Sequence, residues 1–146
     1  MIVSTSELPM LNGGCLCGQV RYQITGPRRD IINCHCRNCR RTHGHVSAYT
    51  SVNKRDLQLT SQQGLKWYHD LSPDTYRGFC RECGASLFWD ARDGNNKMAV
   101  SAGTLDAGQG LKTIGHVYVS EAGDYYEISD DLPQFERSNA GELENF

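Results

Sequence analysis

The chain has 146 residues, 15 Lys and Arg against 17 Asp and Glu, and a formal charge of −2. Such a chain has no general basic face with which to neutralise phosphates, which argues against a nucleic-acid binder. No run approaches the ~18 apolar residues of a membrane span, and the opening MIVSTSELPMLNGG lacks the basic and apolar regions of a secretory leader, so a cytoplasmic protein is the expectation. One domain is expected over residues 1–146, with a core of about 12–136 and loose ends at 1–11 and 137–146.

In chain order, the first informative segment is Cys15-Leu16-Cys17, a Cys-x-Cys pair. On extended backbone residues i and i+2 face one side, so both sulfurs can reach one metal. Val20, Tyr22 and Ile24 alternate with Gln19, Arg21 and Gln23, which predicts a half-buried strand, and 31–33 predicts another. Next comes Cys34-His35-Cys36-Arg37-Asn38-Cys39, followed by Arg40, Arg41, His43 and His45. Strands are expected at 46–52, 57–60 and 65–71, the last with Leu65, Trp67, His69 and Leu71 on one face. Ser72-Pro73-Asp74 predicts a reversal into a strand at 76–79, which runs into Cys80-Arg81-Glu82-Cys83-Gly84. Strands at 86–90, 97–102 and 114–120 complete the series, separated by turn chemistry at 93–96 and 106–110. No long window carries a helical period, so the predicted class is all-β.

Seven cysteines, an odd number without an export signal, do not read as a disulfide framework. They bunch as two, three and two, and clustered thiols in a reducing compartment are metal ligands. Cys15 and Cys17 together with Cys80 and Cys83 would close a tetrahedral zinc site, a staple between the start of the chain and a segment past its middle. The glycine after Cys83 permits the positive φ of a zinc knuckle. Cys34, Cys36 and Cys39 then supply three thiolates, and a site with three protein ligands keeps a place for water or substrate. Spacing leaves other arrangements open. His35, His43 or His45 could complete the second site, or Cys36, Cys39, Cys80 and Cys83 could form a ribbon. His35, between two ligands, is expected to point away from their metal. His43 and His45 read as idle or as neighbours of the ligand loop, His116 as a satisfied strand residue, and Trp67, Trp89, Tyr49 and Phe88 as core or pocket wall.

The string Gly14-Cys15-Leu16-Cys17-Gly18-Gln19-Val20-Arg21-Tyr22, then Cys34-His35-Cys36-Arg37-Asn38-Cys39-Arg40-Arg41, then Phe79-Cys80-Arg81-Glu82-Cys83-Gly84, resembles the glutathione-dependent formaldehyde-activating enzyme family. This family is also called S-(hydroxymethyl)glutathione synthase and shares its domain with centromere protein V. Gly103-Thr104-Leu105-Asp106, His116-Val117-Tyr118-Val119 and Tyr126-Glu127-Ile128 agree with it, and Tyr125 stands where many members have tryptophan. The resemblance implies strongly twisted, coiled β-sheets and two zinc ions per chain. It makes Cys15, Cys17, Cys80 and Cys83 the structural ligands and Cys34, Cys36 and Cys39 the catalytic ones. It implies a carbon–sulfur lyase acting on a glutathione-like thiol and a small aldehyde such as formaldehyde, with no membrane partner.

Filling both sites takes the nominal charge from −2 to about −5, so an anionic thiol needs nearby cations. Arg37, Arg40 and Arg41 lie in or beside the ligand loop and are the candidates to grip the thiol's carboxylates, Arg40 first. The competing reading is a non-catalytic zinc module for protein or nucleic-acid interaction, with both zinc sites structural. A Cys-x-x-Cys redox protein fits less well, because that motif normally stands alone before a helix.

Overall fold

A computed structural model describes residues 8–144. Ten strands form two sheets. Strands β1 (Leu11–Gly14), β2 (Val20–Ile24) and β5 (Leu57–Gln62) make a three-stranded antiparallel sheet in the order β1-β2-β5. The larger sheet holds β3 (Ile31–Cys34), β4 (Ser47–Asn53), β6 (Leu65–Leu71), β7 (Asp74–Cys80), β8 (Ser86–Asp90), β9 (Lys97–Ser101) and β10 (Thr113–Val117). Its order is β10-β3-β4-β9-β8-β7-β6, antiparallel except for the β10–β3 pair. The fold is all-β, with one short helix, α1 (Arg37–His43).

Alternation accounts for most of this. In β2, Val20, Tyr22 and Ile24 are buried while Arg21 and Gln23 are not, so one face meets the core. They pack in one cluster with Val52, Leu87, Phe88 and Val100, and Tyr22 sets its ring edge-on to Phe88 at 5.4 Å between centroids. Cys15 and Cys80 belong to the same cluster, so one cysteine group is anchored directly in the core.

Three departures from the sequence-based reading have physical causes. Strand β1, with the sequence Leu-Asn-Gly-Gly, has the wrong composition for a strand. It pairs because Gly13 lies against the Tyr22 ring and the Thr104 carbonyl, where a side chain would collide. In β6 the expected face survives only at Leu65 and Trp67. The hairpin end runs past the core, Leu71 is 76% exposed, and Asp70 turns inward instead. Beyond Val117 the expected strand gives way to a 3-10 turn, Val119–Glu121, because Tyr118 takes a left-handed conformation with φ 56°.

Of the stretches expected to be loose, 1–7 and 145–146 lie outside the described residues. Leu143 packs against Gly115, and Glu144 pairs with Arg29 at 3.2 Å.

Candidate metal centres and cavity

The folded chain gathers the seven cysteines into two groups, each with all sulfurs within 4.8 Å of one another: Cys15, Cys17, Cys80 and Cys83, and Cys34, Cys36 and Cys39. The ribbon pairing left open by spacing is not formed.

The four-sulfur group joins the turn between β1 and β2 to the end of β7 and the turn after it. Sγ of Cys17 lies 3.7 Å from that of Cys15 and 3.7 Å from that of Cys80. A tetrahedral ion with Zn–S bonds of ~2.3 Å spaces its sulfurs about 3.8 Å apart, so this donor set fits zinc without rearrangement. The turns are shaped for thiolates. The Val20 N–H donates to Cys15 Sγ at 3.3 Å. Gly84, at φ 79°, closes the knuckle by donating its N–H to the Cys80 carbonyl at 2.7 Å. Hydrogen bonds from the backbone of Ala85 and then Cys17 pull the Cys83 thiol down to about 6.

The three-sulfur group is built where β3 ends and α1 begins. Cys34 closes the strand, Cys36 is the N-cap of the helix, and Cys39 lies in its first turn. Cys36 Sγ takes the capping role usually given to Ser or Asp, accepting the Cys39 N–H at 3.2 Å. Gly44, at φ 81°, ends the helix by donating to the Arg40 carbonyl. Hydrogen bonds from Cys34 and Cys36 draw the Cys39 thiol far down, and the Arg77 guanidinium, with Nη2 at 3.9 Å, adds to this. Three converging sulfurs with a cationic neighbour form a donor set that suits a zinc ion with one further position.

The two groups differ in what lies beside them. Cys34, Cys36 and Cys39 stand in the wall of a cavity of about 400 Å³, together with Tyr49, Arg77 and Tyr118, whereas no cysteine of the four-sulfur group borders it. Among the described residues no histidine nitrogen joins the three sulfurs. His43 Nε2 is bonded to the Tyr49 hydroxyl and His45 Nδ1 to the Tyr125 hydroxyl, each at 2.6 Å.

His35 points away from the cysteines that flank it. It is 2% exposed and sits in a chain of hydrogen bonds: Tyr126 Oη to His35 Nδ1 at 2.6 Å, His35 Nε2 to His116 Nδ1 at 2.9 Å, and His116 Nε2 to the Asp130 carboxylate at 3.0 Å. Donor and acceptor roles follow from the carboxylate end. Asp130 only accepts, so His116 donates to it from Nε2, accepts from His35 at Nδ1, and leaves His35 Nδ1 to accept from the tyrosine. Every ring nitrogen is then used once, with the His35 imidazole neutral. Burial, and after it His116, pushes His35 down to about 4, in line with that state.

The arginines expected to serve the site lie on or beside α1. Arg37 and Arg41 are exposed, and Arg40 donates from Nε to the Glu121 carbonyl at 3.1 Å. None of the three borders the cavity, although Glu121 does. The sequence reading missed Arg77, which reaches the cavity from mid-β7 and is only 7% exposed. The available signal was a lone cation in mid-strand, flanked by Thr75, Tyr76, Gly78 and Phe79.

Comparison with known proteins now separates the possible families. The sequence model of the glutathione-dependent formaldehyde-activating enzymes matches residues 10–121, which include all seven cysteines. The chain belongs to the glutathione-dependent formaldehyde-activating enzyme family. An uncharacterized lyase of Schizosaccharomyces pombe is 21% identical over 129 residues, 88% of this chain and 92% of the yeast protein. The crystal structure of a Rhodobacter sphaeroides protein matches with a TM-score of 0.56 at 21% identity, covering 84% of this chain and 98% of that one. The bacterial structure shares the fold of this family member. The chain's own cysteine pattern, legible in the sequence as two, three and two, is gathered in space as four and three. No helix among the described residues is long and apolar enough to cross a membrane.

Proposed function

We propose that the chain is a zinc-dependent carbon–sulfur lyase of the S-(hydroxymethyl)glutathione synthase type, joining a glutathione-like thiol to a small aldehyde such as formaldehyde. Family membership and the yeast relative support a lyase-like activity. The metal, the thiol and the aldehyde are the finer part of the proposal. One observation carries it: the group of three sulfurs borders a cavity, whereas the group of four is complete and does not. In this reading Cys15, Cys17, Cys80 and Cys83 hold a structural zinc, and Cys34, Cys36 and Cys39 hold a second zinc that serves the reaction.

A zinc ion held by Cys34, Cys36 and Cys39 would supply a Lewis acid able to keep a substrate thiol deprotonated at neutral pH. The protein's own groups do the rest. The cap at Cys36 and the turn that follows it fix the direction of the sulfurs before substrate arrives. Ile32, Trp89 and Val117 give the cavity apolar walls that exclude water and strengthen every charge interaction inside it. Arg77 offsets the negative charge gathered at Cys39. Arg40, tied to Glu121 at the cavity, with Arg37 and Arg41 on the same helix, draws the carboxylates of a glutathione-like molecule toward the site. The thiolate sulfur attacks the carbonyl carbon, one C–S bond forms, and the C=O pair moves onto oxygen. The proton given up by the thiol returns to that oxygen, so thiol and aldehyde are fully accounted for in the hemithioacetal.

Cobalt substitution tests this directly. Glutathione should change the sulfur-to-metal charge-transfer band of the loaded protein, and Cys36→Ser should abolish the response. A spectrum already typical of four protein ligands and unmoved by glutathione would overturn the lyase reading.

A further inference from the structure

Two guanidinium groups border the cavity, and their hydrogen bonds divide them. Arg29 is committed to the protein: Nη2 donates to the Tyr49 carbonyl at 2.9 Å, Nε to the Asp30 carbonyl at 3.1 Å, and Nη1 to Glu144 at 3.2 Å. Arg77 is not. Its Nη2 faces Cys39 Sγ at 3.9 Å, while Nε and Nη1 meet no hydrogen-bond acceptor among the described residues. The one carboxylate nearby, Asp70, stands 3.8 Å from Nε, beyond hydrogen-bond reach. It is held there by other donors, Oδ2 taking the Asn38 amide at 3.1 Å and Oδ1 the Ser72 N–H at 3.3 Å.

A buried guanidinium with idle N–H groups is costly, and the cavity that Arg77 borders has room for an acceptor that would relieve it. We propose that Arg77 receives a carboxylate of the substrate thiol, so that the cavity takes small thiols bearing a carboxylate in preference to neutral ones. The planar guanidinium matches a carboxylate in shape and charge, and the apolar walls around it leave such a pair little competition from water. The inference rests on the thiol reading given above and adds the residue within the cavity wall that reads the carboxylate. It separates the roles of the basic residues: the arginines of α1 act from outside the cavity, and Arg77 acts within its wall. It also sets a demanding condition, because a cavity lined by three thiolates would by itself repel a carboxylate.

The test is calorimetry on the metal-loaded protein with three probes: 3-mercaptopropionate, its neutral isostere 3-mercaptopropionamide, and propionate, which has no thiol. Wild type should bind the carboxylate thiol at least about tenfold more tightly than the amide, the scale of one charge-assisted pair. Arg77→Gln should remove that preference, weakening the carboxylate thiol by a larger factor than the amide, and Arg77→Lys should keep part of it. Metal content and the melting temperature report whether each variant is folded. If Arg77→Gln does not fold, a wild type without the preference still overturns the proposal, and Arg77→Lys still reads the share owed to the guanidinium. A wild type with no preference for the carboxylate, or an equal loss for both thiols in Arg77→Gln, overturns the proposal. Propionate separates this from the function reading: 3-mercaptopropionate binding no more tightly than propionate, with no binding of the amide, would sink the lyase assignment and leave the anion site standing.

Discussion

The two cysteine groups use the same two spacings, Cys-x-Cys and Cys-x-x-Cys, yet they lie in different surroundings. In the four-sulfur group the spacings come from segments far apart in the chain, and Cys15 and Cys80 are packed into the hydrophobic core. Ordering the loop between Cys17 and Cys80 costs chain entropy, which a shared metal would offset. In the three-sulfur group both spacings overlap in six residues, so little loop is closed, and the sulfurs line a cavity beside a buried arginine. In the proposed function, one group would hold the fold together and the other would meet a ligand. The same motif therefore gains its role from what surrounds it.

The strongest way to break this contrast is to remove one sulfur from each group. Cys83→Ser should lower the melting temperature by at least about 10 °C, because weakening the staple releases the long loop. Cys39→Ser should lower it by only about 3 °C. Equal losses in thermal denaturation would mean that both groups are structural.

Selective metal removal sharpens the same contrast. Mild chelation should withdraw one equivalent, the one held by Cys34, Cys36 and Cys39, while the far-ultraviolet circular dichroism of the β-sheets persists. Elemental analysis before and after dialysis checks the count, and a single tightly held ion would remove the two-site description.

A smaller effect concerns the bracing of the open group. His116→Phe leaves the buried His35 Nε2–H without its acceptor and should cost about 1–3 kcal/mol in urea unfolding, whereas Tyr126→Phe, which removes a hydroxyl at the partly exposed end of the chain, should cost about 1 kcal/mol or less. Because His35 lies between two ligands, His116→Phe should also hasten metal loss from the three-sulfur group and leave the four-sulfur group unchanged. Equal acceleration at both groups would show that the histidine chain supports the fold at large.

The amino-acid sequence by itself determined the all-β class, most strands, the seven clustered cysteines and the family. These are local properties: alternation with period 2, spacing along a few residues, and motif strings. Even the direction of His35, away from the cysteines on either side, followed from backbone alternation. Tertiary structure decided the rest. It chose four and three over the ribbon pairing, because only the approach of the β1–β2 turn to the end of β7 brings Cys17 and Cys80 together across 63 positions. It made a strand of Leu-Asn-Gly-Gly by laying Gly13 on Tyr22, overriding local propensity. It joined His35 to His116 across 81 positions, and it carried Arg77, 38 positions from Cys39, into the cavity wall while leaving Arg37 and Arg41 in solvent. Proximity in sequence pointed to the helix arginines, but a charge interaction depends on distance and burial in space, and these are properties of the packed sheets.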